Sequence, residues 1–338
     1  MSALGSLRID AGAAIFGSGR DAIAALARWG SAEHGWRRLW LPSYFCPEVP
    51  AALLADGAIE LRSYPDSTLD RPADLASAAI RPGDAVLLAN QLGARARPDL
   101  DGLRARGAAL IEDHSHDLHS AWARDSDADY VVASLRKTLP IPDGGAVWSP
   151  RGLGLPPEPA GEATRASRLS TALEGRSQDG DSPLRYRALA RAAAGADEPV
   201  RGAPISAVSR ALLAQMPMAA WRERRRENLA ILGEAVEAAS VRSGVRLLHA
   251  PPGGVAFALT LVFETAVARE RATQALLARA VVPAILWPLQ AGRDWGAGPA
   301  DADFSERVLS VHGDQRFDVA DMRRLAELLR TALTAGSE

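Results

Sequence analysis

Of the 39 basic residues in this 338-residue chain, 38 are arginine and one, Lys137, is lysine. An Ala- and Arg-rich composition accounts for the arginines. It also isolates the exception. A lysine amine can lose its proton, form an imine and shift its pKa on burial; a guanidinium cannot. Lys137 is therefore a candidate for covalent chemistry. It lies in Ala133-Ser134-Leu135-Arg136-Lys137-Thr138, just after an apolar run, and Gly144-Gly145 return the chain into another. Ser134-x-x-Lys137 also has the spacing of a serine nucleophile with its lysine. Those pairs open a helix, however, and Pro140 and Pro142 argue against a long one.

Two more segments carry chemistry. Phe16-Gly17-Ser18-Gly19-Arg20-Asp21-Ala22 follows an apolar stretch and opens a helical one. Gly17-x-Gly19-x-x-Ala22 has the form of a dinucleotide fingerprint, but the next strand ends in Leu39-Trp40-Leu41-Pro42 without the acid a ribose needs. What remains is a helix N-terminus with free N–H groups and an arginine fork, which suits a phosphate. An ordinary glycine turn stays open as the alternative. Ile111-Glu112-Asp113-His114-Ser115-His116-Asp117 ends a buried strand. Asp113, His114, His116, Asp117 and His119 admit a metal-site reading, yet no distant cluster supplies further ligands, and no metal is expected. A solvated rim loop is the plainer alternative.

Taken together, the three segments fit one cofactor. Pyridoxal 5′-phosphate needs a lysine for its aldehyde, a carboxylate at its pyridine nitrogen and a cup for its phosphate. Lys137, Asp113, and the Ser18–Asp21 turn with Ser134 supply these, Lys137 standing 24 residues beyond Asp113. The chain resembles the fold-type I pyridoxal-phosphate enzymes, and within them the DegT/StrS-type aminotransferases. The resemblance rests on Ser18-Gly19-Arg20-Asp21 at a helix start and Pro42-Ser43-Tyr44-Phe45-Cys46 after a strand. It rests also on Glu112-Asp113-His114-Ser115-His116, and on Lys137 ahead of Gly144-Gly145. Weaker likeness continues through Arg225-Arg226-Glu227-Asn228, Trp287-Pro288-Leu289 and Leu309–Asp314.

The resemblance implies that Lys137 holds the cofactor as an imine and shuttles protons at the substrate α-carbon, and that Asp113 pairs the pyridinium. His116 would approach the ring hydroxyl or face. Gly19, Arg20, Asp21 and Ser134 would line the phosphate, and Phe45 or Cys46 would cover the ring. Alignment puts Cys46 where the family has an aromatic. The family's Gly-x-Asn segment has no counterpart near Ala203–Ser209, and the chain is shorter than typical members. Both differences weaken any carry-over of a nucleotide-sugar substrate. The resemblance also implies a homodimer.

The elements that must position these residues follow from patterning. Strands are expected over Arg37–Pro42, Ile59–Tyr64, Ala85–Asn90, Ala108–Asp113, Tyr130–Ser134 and Gly145–Trp148. Helices are expected between them at Asp21–Trp29, Pro47–Ala55, Asp70–Ala79 and Asp99–Arg106. This alternation predicts an α/β fold with a mainly parallel, doubly wound sheet, whose ligands bind beyond the C-terminal strand ends. Residues 151–203 read as an irregular excursion or lid, with helices at Thr164–Glu174 and Leu184–Ala194. A long helix at Met218–Ser240 carries a solvated charge run. Strands at Arg246–His249, Val255–Phe263 and Ala280–Leu286, with helices at Ala266–Arg279 and Val319–Ala335, form a smaller α+β part. The expected division is 1–235, binding the cofactor, and 236–338.

Charge and composition narrow the function. A net charge of −2 gives no basic excess for nucleic acid or a membrane surface. One cysteine, Cys46, excludes a disulfide framework within the chain. No apolar run approaches the roughly 20 residues of a membrane span, and the first residues show no signal-peptide pattern. The chain is expected to be cytoplasmic. The leading expectation is an aminotransferase passing an amino group from an amino-acid donor to a keto acceptor, which could be a sugar. Elimination or dehydration on the same cofactor, a non-catalytic binding protein on this fold, and a nicotinamide-dependent oxidoreductase are the alternatives. The last leaves Lys137 and Asp113 idle.

Overall fold

The computed structural model describes residues 12–66, 73, 75–161 and 202–334. Its larger sheet has seven strands: β1 (Ala14–Phe16), β2 (Arg38–Pro42), β3 (Glu60–Tyr64), β4 (Asp84–Ala89), β5 (Ala109–Asp113), β6 (Tyr130–Ser134) and β7 (Gly145–Trp148). They lie in the order β1-β7-β6-β5-β4-β2-β3. Strands β3, β2, β4, β5 and β6 run parallel, and β7 is antiparallel to both of its neighbours. Every residue of the parallel strands β4 and β6 is buried. A parallel strand covered on both faces needs such an unbroken apolar run rather than alternation.

Helix α1 (Gly19–Glu33) packs over β6 and β7, its Ala22–Ala27 stretch wholly buried. Helix α2 (Glu48–Asp56) lies beside it and ends at Gly57, whose left-handed φ of 68° closes the turn. Short helices α3 (Asp101–Ala105), α4 (Ala121–Arg124) and α5 (Leu135–Thr138) link the later strands. After them come α6 (Ala207–Leu213) and the long α7 (Met218–Arg242). Met218 and Trp221 of α7 pack with the core around β6 and β7, whereas Leu232, Val236 and Ala239 join a separate core. That second core covers a three-stranded antiparallel sheet, β10-β9-β8, made of β8 (Arg246–Leu248), β9 (Leu259–Val262) and β10 (Val308–Val311). Helices α8 (Ala266–Leu277), α9 (Pro299–Arg307) and α10 (Val319–Thr334) accompany it.

The strands expected in the first 150 residues stand within a residue of their observed bounds. Three expectations fail. The strand over Ala280–Leu286 reduces to one bridge, Ala284 with Ser310, because Pro283 has no N–H for a ladder. The strand over Val255–Phe263 begins only at Leu259. Residues 75–79 bend instead of forming the helix expected over Asp70–Ala79. There the Leu75 and Ile80 amides bond two residues back, to Ala73 and Ala78, and Ala78 and Ile80 are drawn into the core under β4; packing overrides helix propensity. Part of that stretch, and the helices at Thr164–Glu174 and Leu184–Ala194, lie outside the described residues. Strands β1 and β10 and helices α4, α5, α6 and α9 lie outside the elements expected from the sequence.

Candidate active site

The C-terminal ends of β2, β4, β5 and β6 and the N-terminus of α1 open onto one cavity. Its floor is pinned by backbone. Ser18 caps α1, accepting the Asp21 amide at 3.2 Å, and its hydroxyl donates to the Asp21 carboxylate at 2.6 Å. Gly19 opens the helix pressed against β6: a Cβ there would sit 2.8 Å from the Ser134 Cβ. Gly145 is closer still, a Cβ meeting the Ser18 carbonyl oxygen at 2.2 Å. Two glycines thus let the helix start, the end of β6 and the start of β7 converge. The first amides of an α-helix have no partner within the helix; here Gly19 and Arg20, the first two residues of α1, line the cavity with Ser134.

Asp113 ends β5 and lines the same cavity, its Oδ1 accepting the Ser115 amide at 2.8 Å. The Ser115 hydroxyl in turn accepts the Ser134 amide at 2.8 Å. Below them His114 is fully buried between two acids. Its Nδ1 meets Asp117 at 2.7 Å and its Nε2 meets Glu112 at 3.2 Å. Burial opposes the imidazolium, but Asp117 and Glu112 outweigh it and push its pKa up to about 10. Asp117 also accepts Asn90 at 2.6 Å and Ser120 at 2.7 Å. These side chains form a buried ionic girder. Among the described residues, no group of three or more His, Cys, Asp or Glu side chains is placed to hold a metal.

Lys137 sits on α5, a single turn that the rest of the chain must hold. Arg225 on α7 is buried and donates to the Thr138 carbonyl at 3.3 Å, the Phe257 carbonyl at 2.7 Å and Gln315 at 2.9 Å. Gln315 reaches the Thr138 carbonyl as well, at 2.8 Å. Lys137 Nζ lies 3.1 Å from His116 Nε2 and 5.4 Å from the centre of the Trp287 ring. Burial holds its pKa below the usual lysine range, partly offset by Cys46 and Asp113. His116 is pulled well down by burial, with Lys137 and His312 adding to the effect.

Of the residues expected at the site, Gly19, Arg20, Phe45, Cys46, Asp113, His116, Ser134 and Lys137 all line the cavity. Asp21 does not; it is buried against Ser18 at the helix start. Arg20 is paired with Glu48 at 3.1 Å. Burial raises the pKa of the Cys46 thiol. The sequence reading missed Glu48, Asn90, Gln91, Ser115 and Arg136 as lining residues, and noted Trp287 only as weak likeness. Asn90-Gln91 follow a buried strand directly, and polar residues at a C-terminal strand end are the signal that could have found them. Trp287 comes from a distant segment and has no such signal.

Comparison with solved structures places the architecture. Helicobacter pylori PseC, an aminotransferase involved in the biosynthesis of pseudoaminic acid, superposes with a TM-score of 0.68 at 14% identity, over 96% of this chain and 87% of its own. The PLP-form of Spr1654 from Streptococcus pneumoniae gives 0.61 at 12% identity, over 96% and 87%. A DegT DnrJ EryC1 StrS aminotransferase from Brucella abortus gives 0.55 at 14%, over 94% and 85%. The fold is that of the DegT-type aminotransferases, fold type I. No sequence-family profile matches the chain, and no curated protein does. Within this aminotransferase fold, the cavity described above lies at the C-terminal edge of the large sheet. Among the described residues no helix is long and apolar enough to cross a membrane.

Proposed function

We propose that the chain is a pyridoxal-5′-phosphate-dependent aminotransferase. One observation carries the reading: the sole lysine, a strand-end carboxylate and a helix N-terminus open into a single cavity. The residues fit the group. Gly19 lets the start of α1 close against Ser134, where a Cβ would clash, so that Gly19, Arg20 and Ser134 line one corner of the cavity. Asp113 is fixed on β5, placed to pair a protonated ring nitrogen. The PLP-form of a structure sharing this fold supports the choice of cofactor.

When bound, the cofactor supplies an aldehyde that takes up amino groups and a ring that absorbs the electron pair left at a donor's α-carbon. The chain's own residues do the rest. Lys137 would hold the aldehyde through its amine, and that amine would move the proton at the donor α-carbon. Asp113 would pair the ring nitrogen and keep it cationic. The start of α1, Arg20 and Ser134 would hold the phosphate, and His116 would approach the ring hydroxyl or face. Phe45 and Trp287, which line the cavity, would keep water from the reacting face.

The donor is an amino acid and the acceptor a keto compound, in keeping with the aminotransferases of the same fold. A cytoplasmic homodimer, with a larger part at 1–235 and a smaller one at 236–338, completes the proposal. The test begins with absorption of the purified chain after adding pyridoxal phosphate. Borohydride reduction and peptide mapping follow, and the label is expected on the Lys137 peptide alone. A chain that stays colourless and unlabelled sinks the proposal. Conversion by amino acids to the pyridoxamine form, without ammonia release, separates transfer from elimination.

A further inference from the structure

The Lys137–His116 contact fixes more than proximity. Leu92 lies in the short turn Gln91–Gly93 with a left-handed φ of 58°, a conformation a non-glycine residue adopts only when its surroundings hold it. Its amide donates to His116 Nδ1 at 3.1 Å. A ring nitrogen that accepts carries no proton, so the proton of the neutral imidazole is on Nε2. That same Nε2 faces Lys137 Nζ at 3.1 Å. Two N–H groups cannot share one hydrogen bond. With Nε2 the donor, Nζ must offer a lone pair, and only a neutral amine has one.

We propose that His116, its tautomer fixed by the Leu92 amide, is a positioning residue that donates Nε2–H to Lys137 and keeps its amine unprotonated before cofactor binds. The surroundings agree. His116 is packed between Trp287, whose ring is stacked at 5.5 Å, and Phe257 at 4.8 Å. The Phe257 amide donates to the Leu92 carbonyl at 3.0 Å, holding the turn in place. The charged and titratable groups facing the pair are Asp113 on β5, Cys46 and Glu48 near α2, Arg136 on α5 and His312 after β10. Asp113, Cys46 and Glu48 favour a lysine cation; Arg136, burial and the histidine donor oppose it. The consequence is an amine that can attack a carbonyl at neutral pH without first shedding a proton. The use of that amine rests on the transferase reading, but its protonation state does not.

Because Lys137 is the only lysine, the state can be read directly. The full chain, dialysed free of carbonyl compounds, is acetylated with trace acetic anhydride across pH, and the Lys137 peptide is quantified by mass spectrometry. The midpoint is expected below the ordinary lysine range. His116→Gln presents an amide oxygen to Leu92 and an N–H to Lys137, so it is expected to retain that midpoint. His116→Leu removes both contacts, and labelling at pH 7 is expected to slow about tenfold, the effect of one unit of midpoint. An ordinary midpoint in the unaltered chain, or one unmoved in His116→Leu, overturns the inference. Should His116→Leu fail to fold by circular dichroism, nitrogen-15 shifts of His116 decide. An unprotonated Nδ1 supports the inference and a protonated one defeats it. Failure to take up pyridoxal phosphate would sink the transferase reading and leave these outcomes intact.

Discussion

The Ser134 amide donates to the Ser115 hydroxyl at 2.8 Å, joining the strand end that carries the acid to the one that leads to the amine. Ser115→Ala removes the acceptor and leaves a buried N–H without a partner, at a cost of about 1–3 kcal/mol. A lower melting temperature and weaker uptake of pyridoxal phosphate are expected together. If stability falls while uptake is unchanged, the two strand ends are not a shared support for the site.

Gly19 touches Ser134 so closely that an added Cβ would sit 2.8 Å away. Gly19→Ala gains helix propensity of about 0.5–1 kcal/mol but must push α1 off β6. Weaker binding of inorganic phosphate, read by calorimetry, is the expected outcome. Equal phosphate affinity in the variant would place the phosphate elsewhere.

The buried His114 between Glu112 and Asp117 makes stability depend on alkaline pH. Its folded-state pKa of about 10 lies above the roughly 6.5 of an unfolded histidine. Its stabilisation is therefore whole below about pH 6.5 and lost as pH rises towards 10. Melting temperatures should decline over that window. His114→Gln should be less stable at pH 7 and should lose this part of the slope; an unchanged slope would assign it to other groups.

Arg225 supports the turn of Lys137 from 87 residues away. Arg225→Lys keeps a cation but loses the fork that reaches Thr138, Phe257 and Gln315 together. Each charge-assisted bond lost costs about 1.5–3 kcal/mol. Unfolding in urea should show the loss, and residual activity should fall further than stability alone explains. A variant with native activity would remove Arg225 from the positioning of Lys137.

Asp113→Asn should leave the Lys137 label but slow the α-proton step by about 10²–10³-fold, the usual loss when one electrostatic stabiliser of a developing charge is removed. Rapid-scanning absorption during a half-reaction reads it. An undiminished rate would free Asp113 from the ring nitrogen.

The amino-acid sequence by itself determined the strands from Arg38 to Trp148, because buried parallel strands are unbroken apolar runs and read locally. It also picked out Lys137, Asp113 and the Gly19 turn, whose chemistry is distinctive by residue type. Only the tertiary structure decided the rest. It turned His114 from a possible ligand into a clamped ion, since that depends on Glu112 and Asp117 closing on it. It brought Trp287 to the cavity, Phe257 against His116 and Arg225 to the turn of Lys137, all from beyond residue 220, and broke the expected strand at Pro283. Contacts between residues a hundred or more positions apart leave no periodicity in the chain. Their energy is set by burial and by which partner arrives, and neither is written locally.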